Sequence, residues 1–288
     1  ASPTRGLFAS GDSPGAVNII DYVTIASTGD ATDFGDTQEA RTNSTGCSNT
    51  TRAVFGGGSV SPTYVNTLDF VTISTLGDAT DFGDLFQAVY SIRGCSASHI
   101  RGNWNGGYST AYLNIIQTIT IATTGNAVDF GDLSAVREQV YGASSATRGL
   151  FAGGKTDSNI DFVTISSGGG GNDFGSLSTS GFGGKGVSDG ITAVYLGGKW
   201  GGAYTGLIQI EFNTIATLGD ASDFGDIASG RVFNQTGGFA SHTRGVIGAG
   251  SGRNSPYYQK SIEFLTIATK GDTKDFGEIS FERSAAGG

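Results

Sequence analysis

Short runs in which β-branched or aromatic residues alternate with polar ones recur along this chain, and one such run returns six times. Its versions are Asp21–Ile25, Asp69–Ile73, Gln117–Ile121, Asp161–Ile165, Glu211–Ile215 and Glu263–Ile267. After each run comes a turn rich in Gly and Asp, and then the tripeptide Asp-Phe-Gly, beginning at Asp33, Asp81, Asp129, Asp173, Asp223 and Asp275. Successive tripeptides lie 48, 48, 44, 50 and 52 residues apart. Period-two alternation bounded by Gly/Asp clusters predicts strands, and no helical periodicity competes with it. A second signature is an Arg followed by Gly or Ala and an apolar run, at Arg5, Arg52, Arg101, Arg148 and Arg244; Thr192 replaces it in the fifth repeat. Each repeat therefore reads as four short strands. In the second they are Ala40–Ser48, Ala53–Phe55, Leu68–Ser74 and a short strand around Asp81–Gly83, with turns at 49–51 and 76–78. Phe70 on one face of the third strand, and Val71 with Ile73 on the other, suit a sheet packed between two neighbours.

Four strands in a unit of about 48 residues predict an all-β, six-bladed β-propeller of four-stranded antiparallel blades spanning residues 1–288. The ends support a closed ring. Ala286-Gly287-Gly288 joined to Ala1-Ser2-Pro3-Thr4-Arg5 resembles Tyr141–Arg148, so residues 279–287 are expected to supply the first strand of the blade containing residues 5–36. A parallel β-helix or open stack would not need matching ends. The residue after Phe-Gly is acidic in five repeats, and Ser176, the exception, precedes the repeat lacking its Arg. That covariation predicts ion pairs Asp36–Arg52, Asp84–Arg101, Asp132–Arg148, Asp226–Arg244 and Glu278–Arg5.

Composition narrows function. A net charge of −9 argues against a phosphate-backbone partner, because nucleic-acid binders cluster Lys and Arg. No segment approaches the roughly 20 apolar residues that span a bilayer. No signal peptide is visible, and the missing initiator Met points to a processed product or a piece of a longer protein. Cys47 and Cys95 fall at equivalent places in consecutive repeats, and the corresponding places later hold Ala143 and Val187. A small buried position with two free thiols is the plain reading, and an interblade disulfide the sharper one.

Catalytic chemistry is sparse. His99 and His242 lie in turns of opposite repeats, and no zinc spacing, Cys/His pair or Ser/His/Asp set can be assembled. A non-enzymatic protein without a cofactor is expected. Calcium is the one metal the residues invite, through the series Asp30/Asp33/Asp36, Asp78/Asp81/Asp84 and Asp220/Asp223/Asp226; turn capping is the simpler role for these side chains. Sequons stand at Asn43, Asn49 and Asn234 and matter only in a eukaryotic secreted protein.

The loops between second and third strands vary most. They are expected to carry Trp104, Trp200, Tyr64, Tyr108, Tyr112, Tyr204, Tyr257 and Tyr258 on one face of the ring. Trp104 and Trp200 share a Trp…Gly-Gly…Tyr pattern two repeats apart. Such a face stacks sugar rings or anchors a protein, unless the aromatics pack beneath their own loops.

The Gly-Gly ending of the second strand, at Gly56-Gly57, Gly153-Gly154 and Gly197-Gly198, resembles kelch repeats. The longer string Thr-Arg-Gly-Leu-Phe-Ala-Gly-Gly, followed by Asp-Phe-Val-Thr-Ile and Asp-Phe-Gly, is similar to kelch-like repeats of tailed-bacteriophage structural proteins, and the resemblance covers the whole chain. Phe34, Phe82, Phe130, Phe174, Phe224 and Phe276 stand where kelch repeats place a Trp. The resemblance implies a virion or extracellular protein that presents its aromatic face to a host glycan or to other virion proteins. A subunit of an extracellular fibre of stacked propellers is the alternative.

Overall fold

A computed structural model describes residues 2–155, 157–200, 208–228, 236–251, 257–284 and 286–288, with Trp200 described by its backbone alone. Six small antiparallel sheets are arranged as a six-bladed β-propeller, and the described residues contain no helix. Blade 2 is typical. Its strands Thr45–Ser48, Arg52–Gly56, Thr67–Thr72 and Thr80–Asp84 pair in chain order. The first of these is much shorter than the sequence predicts, because residues 40–44 leave the ladder to reach the neighbouring loop, where Thr42 pairs with Ser59. First strands of neighbouring blades lie against one another around the axis.

Blade 1 closes the ring. Three of its strands are Arg5–Asp12, Ala16–Thr24 and Thr32–Asp36, and the place of the innermost is taken by the C-terminal residues. Ala9 and Gly287 exchange backbone hydrogen bonds of 2.9 and 2.8 Å, and Asp12 pairs with Ser284. The closing segment is shorter than predicted: Lys274–Arg283 is still the outer strand of blade 6, so Ser284 and Gly287 make the pairings of the seam.

The apolar core is divided among the six joints between blades. Phe70 turns toward blade 3, packing against the cluster of Val54, Leu68, Phe82, Trp104 and Ile119. Val71 and Ile73 turn the other way, onto Leu7, Ile20 and Phe34 of blade 1. This two-faced burial follows from the period of two in the third strand.

Asp-Phe-Gly is the fastener of each joint. In every blade the ladder between third and outer strands slips by one residue at this tripeptide, so that Leu68 faces Gly83 while Asp69 faces Asp81. The extra residue is Phe82, and the bulge delivers its ring into the joint. Phe82 meets Phe70 edge-on at 5.8 Å between centroids, and four other blades repeat the pair. The carbonyl of the Phe accepts from the Gly of the next blade's turn, as in Gly125 N to Phe82 O at 2.7 Å. All six joints repeat this bond, including Gly29 N to Phe276 O across the seam. Gly83 is required here: its φ is +136°, and an added Cβ would lie 2.6 Å from the carbonyl carbon of Gly125.

The predicted acid–arginine ion pairs are absent among the described residues. Each Arg instead bridges forward to a carbonyl of the next blade. Arg5, Arg101, Arg148 and Arg244 donate to the carbonyls of Ile73, Ile165, Ile215 and Ile25 at 2.7–3.0 Å, and Arg52 to that of Ala122 at 2.8 Å. The guanidinium also lies over its own blade's third-strand ring, 4.5–4.6 Å away for Arg5, Arg52, Arg148 and Arg244. Burial between two blades leaves strand-end carbonyls short of water, so a cation over a ring satisfies them while its charge stays in contact with π density. In blade 5, which has Thr192, Lys270 of the next blade extends over Phe212 with its ammonium 4.3 Å from the ring.

Candidate functional site

The second-to-third-strand loops of blades 2 and 3 bring three predicted aromatics together. The short hairpin of Ser59–Val60 and Thr63–Tyr64 carries Tyr64. In blade 3, Gly106 and Gly107 turn the chain out of its second strand, and Tyr108 then pairs with both Tyr90 and Tyr112. Tyr90, in the segment leading to the inner strand, exchanges hydrogen bonds of 2.8 Å with the Tyr108 backbone. The loop is thus built on a small ladder.

Four rings result. Tyr64 stacks on Tyr90 with centroids 5.2 Å apart and 18° between planes. Tyr108 stands edge-on to Tyr64 at 6.1 Å and to Tyr112 at 5.5 Å. Lys155 of the next blade donates to the Tyr112 hydroxyl at 3.0 Å and pairs with Glu138 at 3.3 Å. Those contacts, the Tyr112 hydroxyl foremost, push the Lys155 ammonium above its usual range. Tyr112 is 43% exposed and the other three rings are half-buried. Among the described residues no intramolecular hydrogen bond engages the hydroxyls of Tyr64, Tyr90 or Tyr108. Rigid ring edges, free hydroxyls and one held cation suit recognition of a polar, flat-faced ligand.

Tyr257 and Tyr258 form a separate pair in blade 6, edge-on at 5.2 Å, with the Tyr258 hydroxyl donating to Asp12 of blade 1 at 3.2 Å. Trp200 is described only through its backbone pairing with Gly181, and Tyr204 lies outside the described residues. Tyr90 was not a predicted member. Its place just before an inner strand hid it, although it lies opposite Tyr108 in the fold.

Trp104 is a correction. It belongs to the strand Arg101–Asn105 and is fully buried in the joint between blades 2 and 3, its indole donating to Thr45 O at 3.3 Å. The sequence pattern placed it in a loop because the polar Asn103 and Asn105 flank it, but both are themselves buried strand residues. Trp104→Ala should therefore cost about 3–5 kcal/mol of stability, measurable by denaturant unfolding. An unchanged midpoint would contradict its core placement.

The sequon asparagines differ. Asn43 is buried and accepts from Arg93, so the folded chain cannot present it as a glycan acceptor. Asn49 caps its turn through bonds from the backbone of Thr51 and Arg52 at 2.9 and 2.8 Å. Asn234 lies outside the described residues. The acidic series are turn staples: Asp78 accepts from the backbone of Asp36 at 3.0 Å, and Asp30 from that of Glu278 at 3.0 Å. Among the described residues no group of three or more ligand side chains could hold a metal ion.

The cysteines are one register apart. Cys47 pairs with Val54 and Cys95 with Trp104, so Ser96 is the counterpart of Cys47, and Gly46 that of Cys95. The inner strand keeps register with the Arg-bearing strand, which repeats after 49 residues here rather than 48. Both thiols are free, with Cys95 donating to Gly46 O at 2.7 Å.

Sequence reasoning also missed three buried ion pairs: Arg41–Asp69, Arg137–Asp161 and Arg283–Asp21. The signal was present. Asp opens the third-strand run in these three blades and in no other, and each of these blades has an Arg just ahead of its inner strand. No known protein-family model and no curated protein matches this chain.

Proposed function

We propose that this propeller is a non-enzymatic binding and structural module, a component of a tailed-phage particle that docks its loop face onto a host surface glycan. The virion setting rests on the likeness of the repeat string to kelch-like repeats of phage structural proteins. The glycan rests on one observation, the cluster of Tyr64, Tyr90, Tyr108 and Tyr112 beside Lys155. Sugar rings present C–H faces that stack on aromatic rings, and hydroxyls that pair with phenols and ammonium groups. A cluster held by its own backbone ladder loses little freedom on binding, which favours affinity from a small contact.

The test is a panel of immobilised bacterial surface polysaccharides. Retention of the wild-type chain, weakened about tenfold or more by Tyr112→Ala or Tyr64→Ala, supports the reading. Retention that survives loss of both rings, with the fold intact, removes the tyrosine cluster as the site.

A further inference from the structure

The inner strands leave a funnel of about 540 Å³ on the axis, open on the face of the first-to-second-strand turns and hence opposite the tyrosine loops. Residues 48–50, 97–99, 144–146, 188–191 and 240–242 surround it, with His99 and His242 among them. Its walls are close-packed backbone: Gly46, Gly142, Gly186, Gly238 and Gly288 line it in their blades, with Cys95 at the sixth such place. One residue earlier along the inner strands stand Thr45, Gly94, Tyr141, Lys185, Gly237 and Gly287. Lys185 is thus the charged group of this ring.

Lys185 lies in blade 5, is 6% exposed, and reaches across the axis to the Thr45 hydroxyl of blade 2 at 3.0 Å. That hydroxyl in turn donates a hydrogen bond to Arg93 O at 3.0 Å. Arg93 is a second buried cation in the same region; its side chain bonds Asn43, and its Nε has no partner. Among the described residues no carboxylate lies within 4.0 Å of either cation. Glu138 does act on Arg93 at longer range, but its ion pair is with Lys155. Asp189, at the funnel, spends an oxygen on the backbone of Ile191 and Thr192. A buried charge without a counter-charge costs several kcal/mol, and proteins otherwise pair such groups.

We propose that the axial funnel is a binding site for a small oxyanion, phosphate or carboxylate, held by Lys185 at its floor with the Thr45 hydroxyl beside it. The anion enters from the turn face and supplies the counter-charge that no described side chain gives Lys185. Burial, and next Arg93, hold the Lys185 ammonium below its usual range, as an unmatched cation requires. Arg93 is pushed down to about 10 by the same desolvation.

Calorimetric titration in a chloride-free, low-salt buffer tests this, with inorganic phosphate, acetate and chloride added in turn. One site per chain is expected, together with a rise in melting temperature as the anion is added. Phosphate binding with no response to acetate identifies a phosphate site, and the converse a carboxylate site. Lys185→Met should weaken binding about tenfold or more, while Lys274→Gln, an exposed lysine far from the axis, should not. Thr45→Val is the second probe should Lys185→Met fold poorly, and it should weaken binding without removing the cation. A wild-type chain that neither binds nor gains stability with phosphate or acetate up to about 100 mM overturns the proposal. So does a folded Lys185→Met that binds as tightly as wild type.

Discussion

Arg41→Ala is expected to lower the free energy of unfolding by about 3–5 kcal/mol, among the largest effects available in this molecule. The guanidinium is fully buried: one terminal nitrogen meets Asp69 at 2.6 Å and also bonds Phe55 O, while the other bonds Thr67. Removing it leaves the carboxylate enclosed and without its cation. Burial already pushes the Asp69 carboxyl up, against the opposing pull of Arg41. The sign of the pH effect follows. An acid with a raised folded-state pKa binds more protons folded than unfolded, so stability falls as pH rises above the ordinary carboxyl value of 3.8. Loss of Arg41 raises that pKa further, so the variant's deficit should be smallest in acid and should grow toward neutrality. Arg41→Met with Asp69→Leu removes both charges and should recover most of the loss. Urea unfolding at several pH values measures all of this; a pH-independent deficit, or no recovery in the double variant, would show that lost packing rather than the stranded charge sets the cost.

Gly83→Ala should be comparably severe, and Gly77→Ala provides its control. Both glycines have positive φ, +136° and +146°. A methyl group on Gly77 points into open space, so its cost is backbone strain alone, about 1–3 kcal/mol. On Gly83 the same methyl group would lie 2.6 Å from the carbonyl carbon and oxygen of Gly125, and the bond from Gly125 N to Phe82 O would have to lengthen. The cost should exceed that of the control by about 2 kcal/mol or more. Hydrogen exchange at Gly125 should quicken in the first variant alone. Equal losses in the two variants would mean that the joint is not tight there.

The architecture was legible because the repeat announces itself. Asp-Phe-Gly, the Arg strand and the alternating third strand recur six, five and six times, and a period of two dictates which side chains face which neighbour. Partners across a joint were harder to read, since sequence places acid and Arg in successive repeats but does not show what each one faces. Hence the acid–Arg covariation predicted ion pairs where the Arg bonds a carbonyl one blade further on. The covariation that does mark ion pairs, between Asp69 and Arg41 or Asp161 and Arg137, runs over 28 and 24 residues within one blade, with loops of unequal length between. Of the predicted aromatic face, Tyr64, Tyr108 and Tyr112 do meet, because variable loops on neighbouring blades converge. Trp104 does not join them, because strand or loop at that position turns on the burial of Asn103 and Asn105, which polarity conceals. The axial cation was invisible for another reason: Lys185 is unremarkable until its opposite blade brings Thr45 within reach.

The seam at Ala9 and Gly287 governs the order in which the ring can assemble. Those residues exchange hydrogen bonds although nearly the whole chain separates them, so this contact carries the largest loop-closure entropy in the molecule. Blades 2 to 6 draw their four strands from contiguous stretches and can form as the chain lengthens, each docking on the one before. Blade 1 cannot, because its innermost edge stays unpaired until Ser284 and Gly287 arrive. Until then, during synthesis or refolding, the strand Arg5–Asp12 is an open edge able to pair with another chain. Closing the ring is therefore the vulnerable step, completed where Ala9 meets Gly287 and Asp12 meets Ser284.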